Sequence, residues 1–128
     1  MITSMTSDYW ESVLNDEHIV QSPSWAEVDE AVSRLDGKVH TLVTLDGEDG
    51  STLFIGGSLE GMVVAWSRQD QNLIARRGAG DEKVQIVVGG QVGDYARRNV
   101  LPIQIAKNIA KAYADGLRVQ DLFKWDQV

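Results

Sequence analysis

Between Val39 and Val88 the chain is broken into short runs rich in Val, Ile, Leu and Thr, each closed by Gly, Asp or Asn. Short apolar runs punctuated by turn residues are the mark of an antiparallel meander. Strands are predicted over Val39 to Leu45, Ser51 to Ile55, Met62 to Ser67 and Asn72 to Arg76, with a further one at Lys83 to Val88, four or five in all. Asp46-Gly47-Glu48-Asp49-Gly50 joins the first two as a hairpin loop, because its glycines accept positive φ and its acids stay solvated. A second glycine-rich connection, with Gly56, Gly57 and Gly61, follows Ile55.

Helical signals flank this block. Pro102 suits a first turn and Gly116 the residue after a last one. Between them Ile105, Ala106, Ile109, Ala110 and Tyr113 form one apolar stripe, while Gln104, Lys107, Asn108, Lys111 and Asp115 form the opposite face. Upstream, Ser24 with Glu27 makes a capping box, Val28, Val32 and Leu35 share a face, and Gly37 suits the helix end. Residues 1–22 lack strong periodicity, although Tyr9, Trp10, Val13 and Leu14 can line one side of a short turn or helix. Leu122, Phe123 and Trp125 of the tail are available to dock. The expected fold is α+β: a single antiparallel sheet with an N-terminal and a C-terminal helix packed on it, as one domain over residues 1–128.

Composition removes several kinds of chemistry. There is no cysteine, so thiolate nucleophiles, disulfides and cysteine-ligated zinc are excluded. Two histidines, His18 and His40, give no repeated metal-ligand spacing; Asp16-Glu17-His18 reads as an exposed acidic loop and His40 as a polar residue opening a strand. Gly56-Gly57-Ser58-Leu59-Glu60-Gly61 misses the nucleophile-elbow pattern, and Gly78-Ala79-Gly80 and Gly89-Gly90-Gln91-Val92-Gly93 lack the Lys-Ser or Lys-Thr of a phosphate loop. No catalytic residue, metal site or cofactor is expected.

The net charge of −7 is unevenly spread. Residues 1–60 hold twelve acids against Arg34 and Lys38 alone, whereas residues 61–128 hold ten bases against seven acids. An acidic half disfavours nucleic acid and suits a basic partner. Arg76-Arg77 and Arg97-Arg98 lack an interleaved aromatic platform for RNA. The first 20 residues carry no Lys or Arg, and no apolar stretch is long enough to span a bilayer, so a cytoplasmic chain without membrane contact is expected. Of the four tryptophans, Trp25 and Trp66 are expected to pack on the core or sheet, and Trp10 and Trp125 to pin terminal segments.

From Thr41 through Trp66, the Gly89-Gly90 pair, the helix from Pro102 to Asp115 and the ending Gly116-Leu117-Arg118-Val119 with Leu122 and Trp125, the chain resembles bacterial immunity proteins. These are the antidotes encoded beside polymorphic toxins, in particular those of the nucleic-acid deaminase fold, with the nearest likeness to the immunity protein of a DNA cytosine deaminase. The resemblance spans residues 39–128; Leu101 stands where a serine-like cap often precedes the last helix, and Val119 where a proline is common. It implies an inhibitor that binds a cognate deaminase-fold toxin domain and occludes its active site. A deaminase itself is excluded, since its zinc motif needs cysteine. The contact residues expected are Asp46, Glu48 and Asp49 of the hairpin, with Trp66 and Arg68 at a strand end. The competing reading is a small enzyme or ligand-binding domain with an apolar pocket lined by His40, Tyr113 or Trp66. The sequence leaves the oligomeric state open.

Overall fold

The computed structural model describes residues 1–128. Strand β1 (Ile2–Ser7) leads into a small hairpin of β2 (Trp10–Glu11) and β3 (Leu14–Asn15), then β4 (His18–Gln21) and helix α1 (Trp25–Ser33). The meander follows as β5 (Leu42–Gly47), β6 (Thr52–Ser58), β7 (Gly61–Arg68) and β8 (Gln71–Ala75). A second hairpin, β9 (Lys83–Val88) and β10 (Gln91–Ala96), precedes a 3-10 turn (Arg97–Asn99), α2 (Ile103–Ala114), the short α3 (Val119–Leu122) and β11 (Trp125–Gln127). Seven strands form one antiparallel sheet in the order β11-β8-β7-β6-β5-β1-β4. The predicted α+β architecture is thus present, and the meander forms the middle of the sheet. Residues 1–22 contribute no helix; they supply two further strands and the small hairpin.

The strand register separates the two faces chemically. Val20, Met5, Leu45, Leu53, Trp66 and Leu73 lie in one cross-strand row, all on the helix-covered face. One residue along, Ile19, Thr6, Thr44, Phe54, Ala65 and Ile74 make the corresponding row on the other face. The alternation of side chains along each strand produces both rows. Against the apolar face, α2 buries Ala106, Ile109, Ala110 and Tyr113, and α1 buries Val28, Ala31 and Val32. The capping box at α1 forms as its sequence predicts: the Glu27 amide donates to Ser24 Oγ at 3.2 Å and the Ser24 amide to Glu27 Oε1 at 2.9 Å. Gly37, by contrast, does not end α1, which stops at Ser33; it sits in a loop that Asp36 organises.

The strand predicted at Lys83 to Val88 forms, yet it pairs only with β10, whose existence the sequence reading did not foresee. Gly89 and Gly90 connect the two at φ 62° and 78°, the backbone that a tight two-residue hairpin demands. This hairpin lies over the second face, where Gly56, Gly57 and Gly61 make a strip without side chains. A Cβ on Gly56 would stand 2.6 Å from Val88 Cγ1, and one on Gly61 2.5 Å from Val100 Cγ1. The glycines are therefore the socket of the hairpin rather than a loose connection, and both Gly56 and Gly57 belong to β6.

At Gly57 the obstacle is backbone: a Cβ would meet the Gly61 carbonyl oxygen at 2.3 Å, and φ is +113°. Gly57→Ala is expected to cost about 3 kcal/mol, combining backbone strain with overpacking. Gly50→Ala, also at positive φ but with open space around it, is expected to cost about 1 kcal/mol. Urea midpoints of the two variants test this ordering, and equal midpoints would contradict the socket.

Candidate partner-binding surface

The β5–β6 turn carries three of the five expected contact residues, and they do different work. Asp46 is in β5 and partly buried, where its carboxylate accepts from Ser4 Oγ at 2.9 Å and Thr52 Oγ1 at 3.2 Å. It staples β1 and β6 to β5. Glu48 is exposed and pairs with the terminal ammonium of Met1 at 3.2 Å. Asp49 is exposed at the turn, with Ser51 donating to it through Oγ at 2.5 Å and through its amide at 2.9 Å. Ser51, together with the nearby positive charge of Arg68, holds the Asp49 carboxyl below the usual carboxylate range. Ser51 Oγ also lies 2.7 Å from the Tyr113 hydroxyl, so α2 anchors the base of the turn, and burial pushes the Tyr113 phenol up.

Arg68 ends β7 beside the same turn and is exposed, so the fold gathers Glu48, Asp49 and Arg68 at one end of the sheet. Trp66 does not join them. Its indole is 3% exposed and belongs to the core row facing the helices. What remains accessible of it lies at the floor of an open groove of about 820 Å³ between the β7–β8 turn and α3. The groove is lined mainly by polar side chains, including Arg68, Gln71, Arg118 and Asp121. It is not the buried apolar pocket that a ligand-binding reading calls for, and His40 and Tyr113 do not line it.

A second exposed structure, not among the expected contact residues, is the arm formed by β2 and β3 where a short turn or helix was expected. Its base is fixed at several points. The Trp10 indole donates to Asp8 Oδ2 at 2.7 Å, the Trp10 amide donates to the Val39 carbonyl at 2.8 Å, and the indole packs so closely on Gly90 that no Cβ would fit there. Tyr9 stacks edge-on against His40 at 5.5 Å. His40 does not open a strand; its Nδ1 sits 2.9 Å from the Asp8 carbonyl oxygen, an acceptor only, which places the proton on Nδ1. Beyond this base, Val13 and Leu14 are 85% and 72% exposed. Of the short turn or helix expected at this segment it is the turn that forms, between β2 and β3.

Three of the four arginines in the basic pairs, Arg76, Arg97 and Arg98, are held by acids. Asp126 of β11 accepts from Arg98 Nε at 2.8 Å and Asn99 Nδ2 at 3.0 Å, with Arg76 3.6 Å away, and Glu82 takes Arg97 at 2.5 Å. Trp125 docks as expected, its indole donating to the Val119 carbonyl at 3.0 Å, whereas Leu122 faces solvent. Leu101 and Val119 are both buried, which accounts for apolar residues at these two positions. No three His, Asp or Glu side chains converge as metal ligands, and no helix is long and apolar enough to cross a membrane.

The hydrogen bonds from Asn99 and Arg98 keep the Asp126 carboxyl below its ordinary value. Folding thus favours the ionised form, so the stabilisation is complete above about pH 4 and is lost as pH falls through the folded value. Asp126→Asn is expected to lower stability by about 1 kcal/mol at pH 7 and to make the loss below about pH 4 shallower. Denaturant melts across that range check both, and an unchanged slope would contradict the assignment.

The family model described as "Immunity protein Imm1" matches residues 16–127. The match begins well before the resemblance seen from residue 39, taking in β4 and α1. No curated protein matches the chain. With nearly its whole length covered by one family model, the chain belongs to the Imm1 family of immunity proteins.

Proposed function

We propose that this chain is the antidote to a toxin domain of the nucleic-acid deaminase fold, acting in the cytoplasm by seating on the toxin and occluding its active site. The observation that carries the immunity role is the family match over residues 16–127. The deaminase class rests on the resemblance of residues 39–128. Charge supports a partner whose cleft normally holds nucleic acid. Residues 1–60 carry twelve acids against two bases, and they supply one lateral half of the sheet, β4, β1, β5 and β6, with most of those acids on its turns, the β2–β3 arm and α1. On this reading Glu48, Asp49 and Arg68 lie on the contact surface, Asp46 shapes the turn and Trp66 holds the strand beneath it.

Titrating the toxin domain encoded beside this chain's gene, in a deaminase assay followed by native mass, is expected to give stoichiometric loss of activity with a one-to-one complex. Undiminished deamination beside a stable complex would reject occlusion, and the absence of any complex would reject the pairing. Glu48→Lys with Asp49→Lys is expected to slow association about tenfold at low salt while leaving dissociation nearly unchanged. Association rates that do not vary between roughly 50 and 500 mM salt would sink the acidic-turn assignment.

A further inference from the structure

We infer that the β2–β3 arm is the anchor of the toxin interface, its apolar tip entering a cleft lined by basic side chains. The inference rests on the antidote reading above. Four of the ten large apolar side chains left exposed, Tyr9, Val13, Leu14 and Ile19, fall within eleven residues of sequence on this arm and the adjoining edge strand β4. Exposed valine and leucine at a turn add nothing to folding, and a tip of this kind is what fills a pocket at the centre of an interface.

The arm is built for display. Trp10, pinned by Asp8 and Gly90, and Tyr9, packed on His40, hold its base, while Ser12 turns the chain at φ +58°. Left-handed backbone at a non-glycine residue is uncommon and gathers at functional sites. A tip held rigid before binding loses little freedom on docking.

Charge decides the occupant. Glu11, Asp16 and Glu17 flank the tip, take part in no salt bridge, and no Lys or Arg occurs before Arg34. Such a collar repels an acidic surface and complements a basic one. The residues matched by the family model begin at 16, past β2 and β3. The arm and the β5–β6 turn stand at opposite ends of β1, a six-residue strand of about 20 Å. One partner covering about 800 Å² spans both.

The two elements then separate kinetically: a rim of charge sets the association rate and a buried apolar anchor sets dissociation. Against the toxin domain encoded beside the gene, Val13→Thr with Leu14→Thr is expected to speed dissociation roughly 10- to 100-fold, with association within about twofold of wild type. Leu59→Thr, at a residue 70% exposed on the β6–β7 turn, serves as the matched control and is expected to bind as wild type. Thermal unfolding of all variants is expected to match the parent; Leu14→Ala alone carries the same prediction at smaller scale should the double variant misfold. Wild-type dissociation from the arm variants overturns the arm as anchor and leaves the antidote reading intact. Absence of any complex with the unaltered chain overturns both.

Discussion

One buried carboxylate holds the exposed parts of this molecule in place. Asp8 is 7% exposed and its oxygens accept from the Thr41 amide at 2.7 Å, the Leu42 amide at 2.9 Å, Thr41 Oγ1 and the Trp10 indole. A carboxylate removed from water is costly unless its lone pairs are filled, and hydrogen bonds to a charged group each contribute about 1.5–3 kcal/mol. Here the donors come from two separate segments. Thr41 Oγ1 in turn accepts the Gly90 amide at 2.9 Å, which brings the tip of the β9–β10 hairpin into the same network. The start of β5, the base of the β2–β3 arm and the hairpin over the second face are thereby fixed relative to one another by residues that contribute almost nothing to the main apolar core.

The chain topology converts a one-dimensional charge gradient into a spatial one. Because β1 and β4 return to the outer side of β5, the first half of the chain forms one flank of the sheet and the second half the other. Ion pairing is concentrated in the second flank, where Asp126, Asp81 and Glu82 occupy Arg76, Arg97 and Arg98. In the first flank the bases are too few to occupy the acids, and Lys107 reaching Asp29 at 2.9 Å is the pair that ties the two helices across the divide. Exposed pairs contribute little to stability, so the free acids of the first flank are better understood through what they attract than through what they hold together.

How far the sequence revealed this arrangement depended on where each segment found its partners. β5 to β8 alternate or run apolar between clear turn residues, and α2 has both a stripe and end signals, so local pattern and tertiary burial agree. β1 was illegible because only Ile2 and Met5 are buried along it, with Thr and Ser between them, and it becomes a strand through pairing with β5 and β4. β10 contains Gly93 and Asp94, weak strand formers that its pairing with β9 overrides. Gly56 and Gly57 looked like a turn because a socket for another segment leaves no local trace. Trp66 was expected both to pack on the core or sheet and to serve as a contact at a strand end, because Gly61 to Trp66 is apolar without alternation; the register opposite Leu53 settles it on the core side. The acidic turn was visible because its residues are consecutive, whereas the arm depends on Asp8, Thr41 and Gly90, distant in sequence.

An immunity protein has to distinguish its own toxin from others. An inhibitor that depended on charge alone would attract any basic cleft, because long-range attraction reads sign and little else. Discrimination needs a contact that only the right partner can bury, and that contact must be rigid, or the entropy of ordering it offsets the gain. The glycine socket, the capped helix and the core row stiffen the common frame, while Asp8 transmits that stiffness to an arm whose tip makes no claim on the core. Changes at Val13 and Leu14 can therefore alter what the molecule recognises with little cost to folding. Changes at Asp8 or Trp10 would loosen the presentation itself, so specificity is free to vary at the tip while its base is constrained.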